Sequence, residues 1–396
     1  MNDELRALGA EFVRREVAPH LQEWEDAGTI PRDLHVAAGK QGLLGVAFPE
    51  EVGGSGGTLL DSVELQEAMF EAGASSGLMA ALFTGGIALP HIAAHGSADQ
   101  VDRFVRPTLA GEKIGSLAIT EPGGGSDVAG ITTRAERDGD HFVVNGAKTF
   151  ITSGIRGDFV TAAVRTGGPG HAGVSLLVIE KGTPGFSVER PLAKMGWHCS
   201  DTASLAFTDV RVPAENLVGE ENAGFALIAE QFVVERIALA VHGYGIAGRS
   251  LALAAAYARE RETFGRPLVD RQVIRHKLVE MHRQVEVATT YTRAVAARHA
   301  LHVHGQGEDV IADACLAKKT AVDTAENVCH EAVQIFGGAG YLHGSEVERH
   351  YRDARILGIG GGASEVLTDL AARLLGYTTS TPRSPSQAHD SAGAPA

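Results

Sequence analysis

The sequence predicts an α+β protein with a helical N-terminal domain (residues 1–112), a central antiparallel β domain (113–220) and a C-terminal domain resembling a four-helix bundle (221–377). Apolar residues recur with a helical period in the first and last parts, and they alternate with a period of two in between. Strands do not alternate with helices, and no G-x-G-x-x-G turn follows the first strand, so a Rossmann fold is excluded. Residues 378–396 are rich in Ser, Pro and Ala and are expected to be disordered.

In the first domain the helical period starts with Leu5 and Leu8 and extends to Leu21. Pro31 stands where a second helix is expected to begin, because its fixed φ suits a first helical turn. Residues 46–56 are rich in Gly and Pro and indicate a loop. Residues 58–71 are amphipathic, and Ser97 is expected to cap a further helix that ends near Ala110.

The central domain begins with a short β run at residues 113–120. Alternating residues on both sides of Asp138-Gly139-Asp140 predict a hairpin, and Asn145-Gly146 predicts a second tight turn. Further strands are expected at residues 159–164, 174–179 and 203–212.

The last domain reads as long helices joined by short loops, which is typical of a bundle. The expected helices cover residues 223–262, 271–304, 308–335, 345–356 and 363–375.

Composition limits the possible partners. A formal net charge of −14 argues against a nucleic-acid partner. Three cysteines without a C-x-x-C pair indicate neither a disulfide framework nor a zinc site, and no histidine spacing indicates another metal site. The N-terminal residues lack the apolar region of a secretory signal. The apolar run 237–258 contains His242 and Arg249 and is expected to be a bundle helix rather than a membrane span. We therefore expect a cytoplasmic protein without a membrane span or a metal.

The stretch Ala118-Ile119-Thr120-Glu121-Pro122-Gly123-Gly124-Gly125-Ser126-Asp127 is the most informative motif. Pro122 ends a strand because it has no N–H to donate. The three glycines are expected to take positive φ and to let a ligand approach, with successive N–H groups forming an anion-binding concavity. The motif resembles the first signature of the acyl-CoA dehydrogenases, which wraps the flavin of FAD. The resemblance implies that FAD is bound by Ile119, Thr120, Gly125 and Ser126, and that Ser126 also contacts substrate.

Three further segments resemble FAD-binding segments of the same family, and the helix–sheet–helix order of the whole chain resembles its fold. In residues 148–154, Phe150 stands where the family usually has Trp, and Thr152 would reach the flavin edge. The run Arg261-Glu262-Thr263-Phe264-Gly265 with Gln272 resembles an R-x-x-F-G…Q element that reaches FAD in a neighbouring subunit. Gln334, Gly337 and Gly338 begin the second family signature, from which Gly344 departs.

The expected catalytic loop has lost its carboxylate. Medium- and short-chain members of the family carry the base in a loop written E-G-T-S, and Gly361 occupies that Glu position here. The resemblance implies that the Gly361 N–H donates to the thioester carbonyl and stabilises the enolate. Ala363 and Glu365 would contact FAD. Because Gly360 and Gly361 lack side chains, we also expect a roomy pocket that suits a branched or bulky acyl group.

A glutamate that directly precedes an arginine can replace the lost base. Glu235-Arg236 matches the isovaleryl- and long-chain-type branch, in which the base lies on a helix of the C-terminal domain. Glu235 shares a helix face with Phe232 and Leu239, so partial burial is expected to raise its carboxyl pKa towards the range of a general base. Arg236 would position the substrate.

The resemblance implies FAD-dependent oxidation of an acyl-CoA to the trans-2-enoyl-CoA, with electrons passed to an electron-transferring flavoprotein by a homotetramer. Two alternatives keep the fold. One is a nitroalkane-oxidase-like or O₂-using enzyme. The nitroalkane oxidases resemble the loop-base arrangement with an Asp near position 361, and Gly361 argues against that reading. A non-catalytic FAD- and partner-binding relative is disfavoured by the negative charge and by Glu235.

Overall fold

The computed structural model describes residues 2–303 and 305–378, so all but the first residue of the predicted tail lies outside the described residues. The N-terminal part is built from short helices. They are α1 Asp3–Phe12, α2 Leu21–Ala27, α3 Arg32–Lys40, α4 Leu59–Glu71, α5 Ser76–Leu82, α6 Gly85–Ala88, α7 Pro90–His95, α8 Ala98–Gln100 and α9 Arg106–Leu109.

Local side chains set several of these helix starts. Thr58 and Asp61 form a capping box at the start of α4, and Ser97 and Gln100 form another at the start of α8. Pro31 directly precedes α3, as its fixed φ predicted. Helices α5 to α7 were not predicted. They carry apolar residues on all faces, so the sequence shows no amphipathic period there.

The central domain contains an eight-stranded sheet within the described residues. Its strands are β1 Gly115–Ala118, β2 Arg134–Asp138, β3 His141–Thr152, β4 Phe159–Arg165, β5 Val174–Glu180, β6 Phe186–Pro191, β7 Thr202–Pro213 and β8 Leu217–Val218. The order along the sheet is β6-β7-β3-β2-β4-β5-β8, and β1 pairs with β4. The predicted hairpin between β2 and β3 is confirmed.

Two expectations for this domain were wrong. The sheet is not purely antiparallel, because β1 runs parallel to β4, to which the chain returns only after the β2–β3 hairpin. Asn145-Gly146 is not a turn but a bulge inside β3, where the pairing register with β7 shifts. The amide of Asn145 binds Asp209 across the sheet, and Gly146 passes so close to Thr133 that a Cβ would lie 2.7 Å from its Cα.

The C-terminal part is a helical bundle of α10 Gly224–Glu260, α11 Gln272–Val303, α12 Ile311–Phe336, α13 Gly338–Tyr341, α14 Glu346–Leu357 and α15 Ser364–Leu374. A small hairpin of β9 Glu262–Thr263 and β10 Arg266–Pro267 joins α10 to α11. The apolar run 237–258 lies within α10, the helix that packs on α12 along much of its length.

No single helix in residues 2–303 and 305–378 is long and apolar enough to cross a bilayer, although the bent pair Ser76–Leu82 and Gly85–His95 meets the test of length and composition.

A buried carboxylate joins the three parts of the chain. Asp353 of α14 accepts hydrogen bonds from the Trp197 N–H, at 2.6 Å, and from the Gly77 N–H of α5, at 3.3 Å. The bundle is thereby tied both to the sheet domain and to the N-terminal helices. These bonds therefore fix the position of α14, and the loop that contains Gly361 begins at the end of this helix. The domain boundaries at residues 112, 220 and 377 remain a prediction.

Candidate active site

A buried ion pair anchors the glycine-rich loop that follows β1. The Lys148 ammonium donates to the carboxylate of Glu121 and to the carbonyl of Ile119, both at 2.9 Å. Glu121 also accepts the backbone N–H groups of Thr132 and Thr133, at 2.7 and 2.8 Å. Burial alone would raise the pKa of Glu121, but the Lys148 charge and these bonds lower it to about 2. The ionised carboxylate of Glu121 therefore anchors the loop.

The loop conformation differs from the expected one. None of Gly123, Gly124 and Gly125 lies in the left-handed region. The N–H groups of Glu121 and Gly124 are bonded to each other's carbonyls, so they are not free to hold an anion. The glycines instead leave space, since a Cβ on Gly123 or Gly124 would meet no atom within 4 Å. Ser126 is exposed beside them, while Ile119 is buried and Thr120 is half-buried.

Phe150 lies within β3 and is exposed. Its backbone has φ +60°, a strained value for an aromatic residue, and its side chain is 69% exposed. The strain lies at an irregularity between Lys148 and Ile151 in the pairing of β3 with β7. The Thr149 N–H donates to the Thr120 carbonyl at 2.9 Å, so this segment and the glycine loop form one surface. Thr152 is half-buried two residues beyond Phe150.

The exposed aromatic ring and the open glycines fit a flat aromatic group such as the flavin that the sequence resemblance implies. A Cβ on Gly125 would lie 3.4 Å from Thr120 Cγ2, so the backbone there already lies against the threonine. Strained residues of this kind cluster at ligand sites, where the surrounding structure maintains them.

Glu235 lies on α10, near this surface. Phe232, one turn earlier, packs on the apolar cluster that contains Ile119 and Val128. Burial raises the pKa of the Glu235 carboxyl, and the charges of Lys318 and Arg236 oppose the rise. Arg236 is 7% exposed, and its Nε has no hydrogen-bond partner among the described residues. Its guanidinium lies 5.4 Å from the Phe232 ring centroid.

The glycine loop between α14 and α15 faces Glu235. The Oε1 atom of Glu235 lies 3.2 Å from the position that a Cβ on Gly361 would take. Gly361 has φ +62°, which suits glycine, and its N–H has no hydrogen-bond partner in the described part of the chain. A partly desolvated carboxylate and a free N–H donor therefore lie side by side.

The roomy pocket expected from the sequence remains a prediction, but the missing side chain of Gly361 does not itself leave open space. Leu239, one turn after Glu235 on α10, places its Cδ1 2.2 Å from the position of a Cβ on Gly361. Leu239 of α10 thus fills the space that a side chain at position 361 would take. A surface cavity of about 640 Å³ opens beside the same loop, and Ile359, Ala363 and Glu365 line part of it.

The remaining candidate residues lie at the other end of the bundle. The ring of Tyr257 on α10 stacks at 4.3 Å on that of Phe336, beside Gln334, Gly337 and Gly338. At 1.5 Å per residue, Tyr257 is about 33 Å along the helix axis from Glu235. Arg261, Phe264 and Gln272 follow at the same end, and the Phe264 side chain is 97% exposed. One copy of the chain does not bring this group to Glu235.

Lys318, on α12, was missed in the sequence analysis. It is 1% exposed, and its ammonium donates to the carbonyls of Gly360, at 2.5 Å, and Gly362, at 2.7 Å. Its position four residues after Ala314 and three before Ala321 puts a lysine on the buried face of α12, a signal that the sequence did contain. Within the described residues no group of three or more His, Cys, Asp and Glu could hold a metal ion.

Comparisons with known proteins give matches over nearly the whole chain. Models of the acyl-CoA dehydrogenase N-terminal, middle and C-terminal domains match residues 2–112, 116–210 and 222–376. The chain is 36% identical to the mitochondrial long-chain specific acyl-CoA dehydrogenase of Mus musculus, over 94% of this chain and 86% of that protein.

Solved structures are also similar. A probable acyl-CoA dehydrogenase from Mycobacterium abscessus is 62% identical, with a TM-score of 0.92 over 94% of this chain and 98% of that one. A chain in the structure of an electron transferring flavoprotein of Acidaminococcus fermentans is 33% identical, with a TM-score of 0.89 over 94% and 97%.

Proposed function

Because this chain belongs to the acyl-CoA dehydrogenase family, a family of flavin-dependent oxidoreductases, we propose that it oxidises an acyl-CoA thioester to the trans-2-enoyl-CoA with Glu235 as the base. The observation that carries the proposal is the pairing of Glu235 with Gly361. The base removes a proton from the α-carbon, and the N–H donor binds the oxygen of the thioester carbonyl. These two groups must lie close together, because the α-carbon is bonded to the carbonyl carbon. Glu235 and Gly361 meet this requirement.

Glu235 removes the α-proton. Its half-buried position raises the carboxyl pKa, which makes the ionised form a stronger base than an exposed carboxylate. The cations of Lys318 and Arg236 oppose this rise and favour the ionised form of the carboxylate. Leu239 packs an apolar side chain beside the pair.

Gly361 stabilises the negative charge that the α-carbon passes to the thioester oxygen. Its N–H is the donor, and no side chain at that position competes with the substrate. Losing such a donor costs about 3 kcal/mol of barrier in other enzymes. Arg236 and Ser126 would position the substrate.

The candidate FAD-binding residues form two separate groups. Ile119, Thr120, Gly125 and Ser126 with Phe150 and Thr152 would hold the flavin ring of one FAD, and Ala363 and Glu365 would extend this surface. When bound, FAD supplies the acceptor for the β-hydride at its N5 atom. Arg261, Phe264, Gln272, Gln334, Gly337 and Gly338 would hold the FAD of a neighbouring subunit, since they lie far from Glu235 in their own. The exposed Phe264 supports this division.

We further propose a homotetramer in the cytoplasm that passes its electrons to an electron-transferring flavoprotein. The similarity to a chain from an electron transferring flavoprotein structure supports that acceptor. Sedimentation of the purified protein would show the number of subunits.

Anaerobic titration tests the proposed reaction. The purified protein should be yellow, and an acyl-CoA should bleach the flavin absorbance without added acceptor. A panel of straight and branched acyl-CoAs, ranked by bleaching rate, would identify the substrate class. A yellow protein that no member of the panel bleaches, but that a nitroalkane does, would overturn the proposal.

A further inference from the structure

A single buried ammonium holds the loop that carries Gly361. Lys318 Nζ donates to the carbonyls of Gly360, at 2.5 Å, and Gly362, at 2.7 Å, which are the residues on either side of Gly361. Only these two bonds involve the ammonium within the described residues, and no carboxylate lies within ion-pair distance of it. A buried lysine whose hydrogen bonds go to two backbone carbonyls and to no carboxylate is uncommon. These two bonds and the longer-range attraction of the Glu235 carboxylate offset its desolvation.

The geometry of the peptide group links this contact to the donor. The Gly360 carbonyl and the Gly361 N–H belong to one planar trans peptide, in which the two bonds point in opposite directions. A cation that fixes the carbonyl therefore also fixes the direction of the N–H, away from Lys318. The carbonyl of Gly362, two residues further along, is fixed by the same atom. Gly361 has φ +62° and Gly362 has φ +96°, and glycines are free to leave such values unless something holds them.

We propose that Lys318 is a positioning residue, which aims the Gly361 N–H at the thioester carbonyl by binding the two carbonyls that flank Gly361. The inference rests on the proposed function, because it assigns a role in the same reaction. Lys318 itself does not touch the substrate. Lys318 acts by orienting the donor. The hydrogen bond from this donor stabilises the enolate more than it stabilises the bound thioester.

The test compares Lys318→Met with the wild-type holoenzyme in four measurements. The rate of anaerobic bleaching at saturating acyl-CoA should fall about 10²-fold, the loss expected when a donor is misplaced by about 1 Å. The apparent dissociation constant should change by less than about threefold, and the FAD content per chain should not change. The fourth measurement is the infrared carbonyl stretch of bound trans-2-enoyl-CoA labelled with carbon-13 at the carbonyl. It should lie below the frequency in water in the wild type and return towards it in the variant.

Lys113→Met is the matched control. The Lys113 ammonium also binds a backbone carbonyl, that of Arg103 at 2.9 Å, but where the N-terminal helices meet the sheet domain. Its bleaching rate and carbonyl frequency should match those of the wild type. Lys318→Gln is the second variant, because an amide can still donate to one carbonyl, and it should give a smaller loss of the same kind.

The outcomes separate the two proposals. If the wild type is not bleached by any acyl-CoA, the proposed function fails. If the wild type is bleached and either variant of Lys318 keeps its rate and its carbonyl frequency, the positioning role is wrong. If both variants fail to fold, the wild-type carbonyl frequency decides, because a value at or above that in water would mean that no aimed donor exists.

Discussion

The Oε1 atom of Glu235 lies 3.2 Å from the point at which a side chain would leave Gly361. The two residues come from different elements, helix α10 and the loop after α14. A carboxylate at position 361 would occupy the space of Glu235 and Leu239. In this chain the helix therefore supplies the carboxylate and the loop supplies only an amide.

The first test of this relationship is the Gly361→Ala variant. Its Cβ would lie 2.2 Å from Leu239 Cδ1 at a φ of +62°, so we expect a loss of about 1–3 kcal/mol in the free energy of unfolding. Denaturant titration measures the loss. Gly360→Ala is the control for stability, because its Cβ would find its nearest atom at 3.6 Å. Equal stability of the two variants would contradict the packing described above.

The pH dependence of bleaching tests the proposed role of Glu235 as the base. The base acts only when ionised, so the rate at saturating acyl-CoA should rise with pH. Burial raises the pKa of Glu235, and the midpoint should therefore lie above the ordinary carboxyl value of 4.5. The charge of Lys318 lowers this pKa, so Lys318→Met should move the midpoint to higher pH. A midpoint at or below 4.5, or a shift to lower pH in the variant, would mean that another group titrates.

Phe150 should matter for the cofactor and not for the fold. Its ring is 69% exposed, so Phe150→Ala should change the free energy of unfolding of the apoprotein by less than about 1 kcal/mol. It should weaken FAD binding by about 1 kcal/mol, since an aromatic contact is lost. Fluorescence titration of the apoprotein with FAD measures the affinity. Phe150→Trp should retain it, and unchanged affinity in the Ala variant would remove Phe150 from the site.

The Lys148–Glu121 pair should stabilise both the fold and the glycine loop. Lys148→Met leaves the Glu121 carboxylate buried without a counter-charge, and we expect a loss of about 3–5 kcal/mol in the free energy of unfolding. Asp138→Asn breaks the exposed pair with Arg211 in the same domain and should cost less than about 1 kcal/mol. Denaturation of both variants at pH 7 makes the comparison, and similar losses would argue against a special role for the buried pair.

The pH dependence of stability should follow Glu121. Its pKa is depressed to about 2 in the folded chain, so its stabilising contribution is present above the ordinary value of 4.5 and is lost as pH falls from there towards 2. The free energy of unfolding should therefore fall over this range, and Glu121→Gln should reduce that fall. A variant with an unchanged acid profile would contradict the assignment.

Much of the fold could be predicted because local patterns and tertiary packing agree. Helical periods place α10 to α12 within four residues of their observed bounds, and the Asp-Gly-Asp turn places β2 and β3. Local signals failed where distant residues decide the structure. Asn145-Gly146 became a bulge because Asp209 binds Asn145 from the facing strand. The parallel pairing of β1 with β4 depends on a connection that no local pattern records.

The candidate site could be predicted only by residue type. Glu235 and Gly361 could each be named from the sequence, but their distance depends on the packing of α10 against the loop. The same packing let Leu239 fill the space that the glycines were expected to leave open. Lys318 was overlooked because a lysine among small apolar residues carries no motif, although its place on a buried face distinguishes it.

The most direct measurement is the anaerobic bleaching rate of Glu235→Gln with the best acyl-CoA of the panel. The amide keeps the shape of the side chain but cannot accept the proton, so the variant should remain yellow while its rate falls about 10²–10⁴-fold or more. Glu230→Gln, five residues earlier on α10 and 62% exposed, should bleach like the wild type. A Glu235→Gln protein that bleaches at the wild-type rate would show that another group removes the proton.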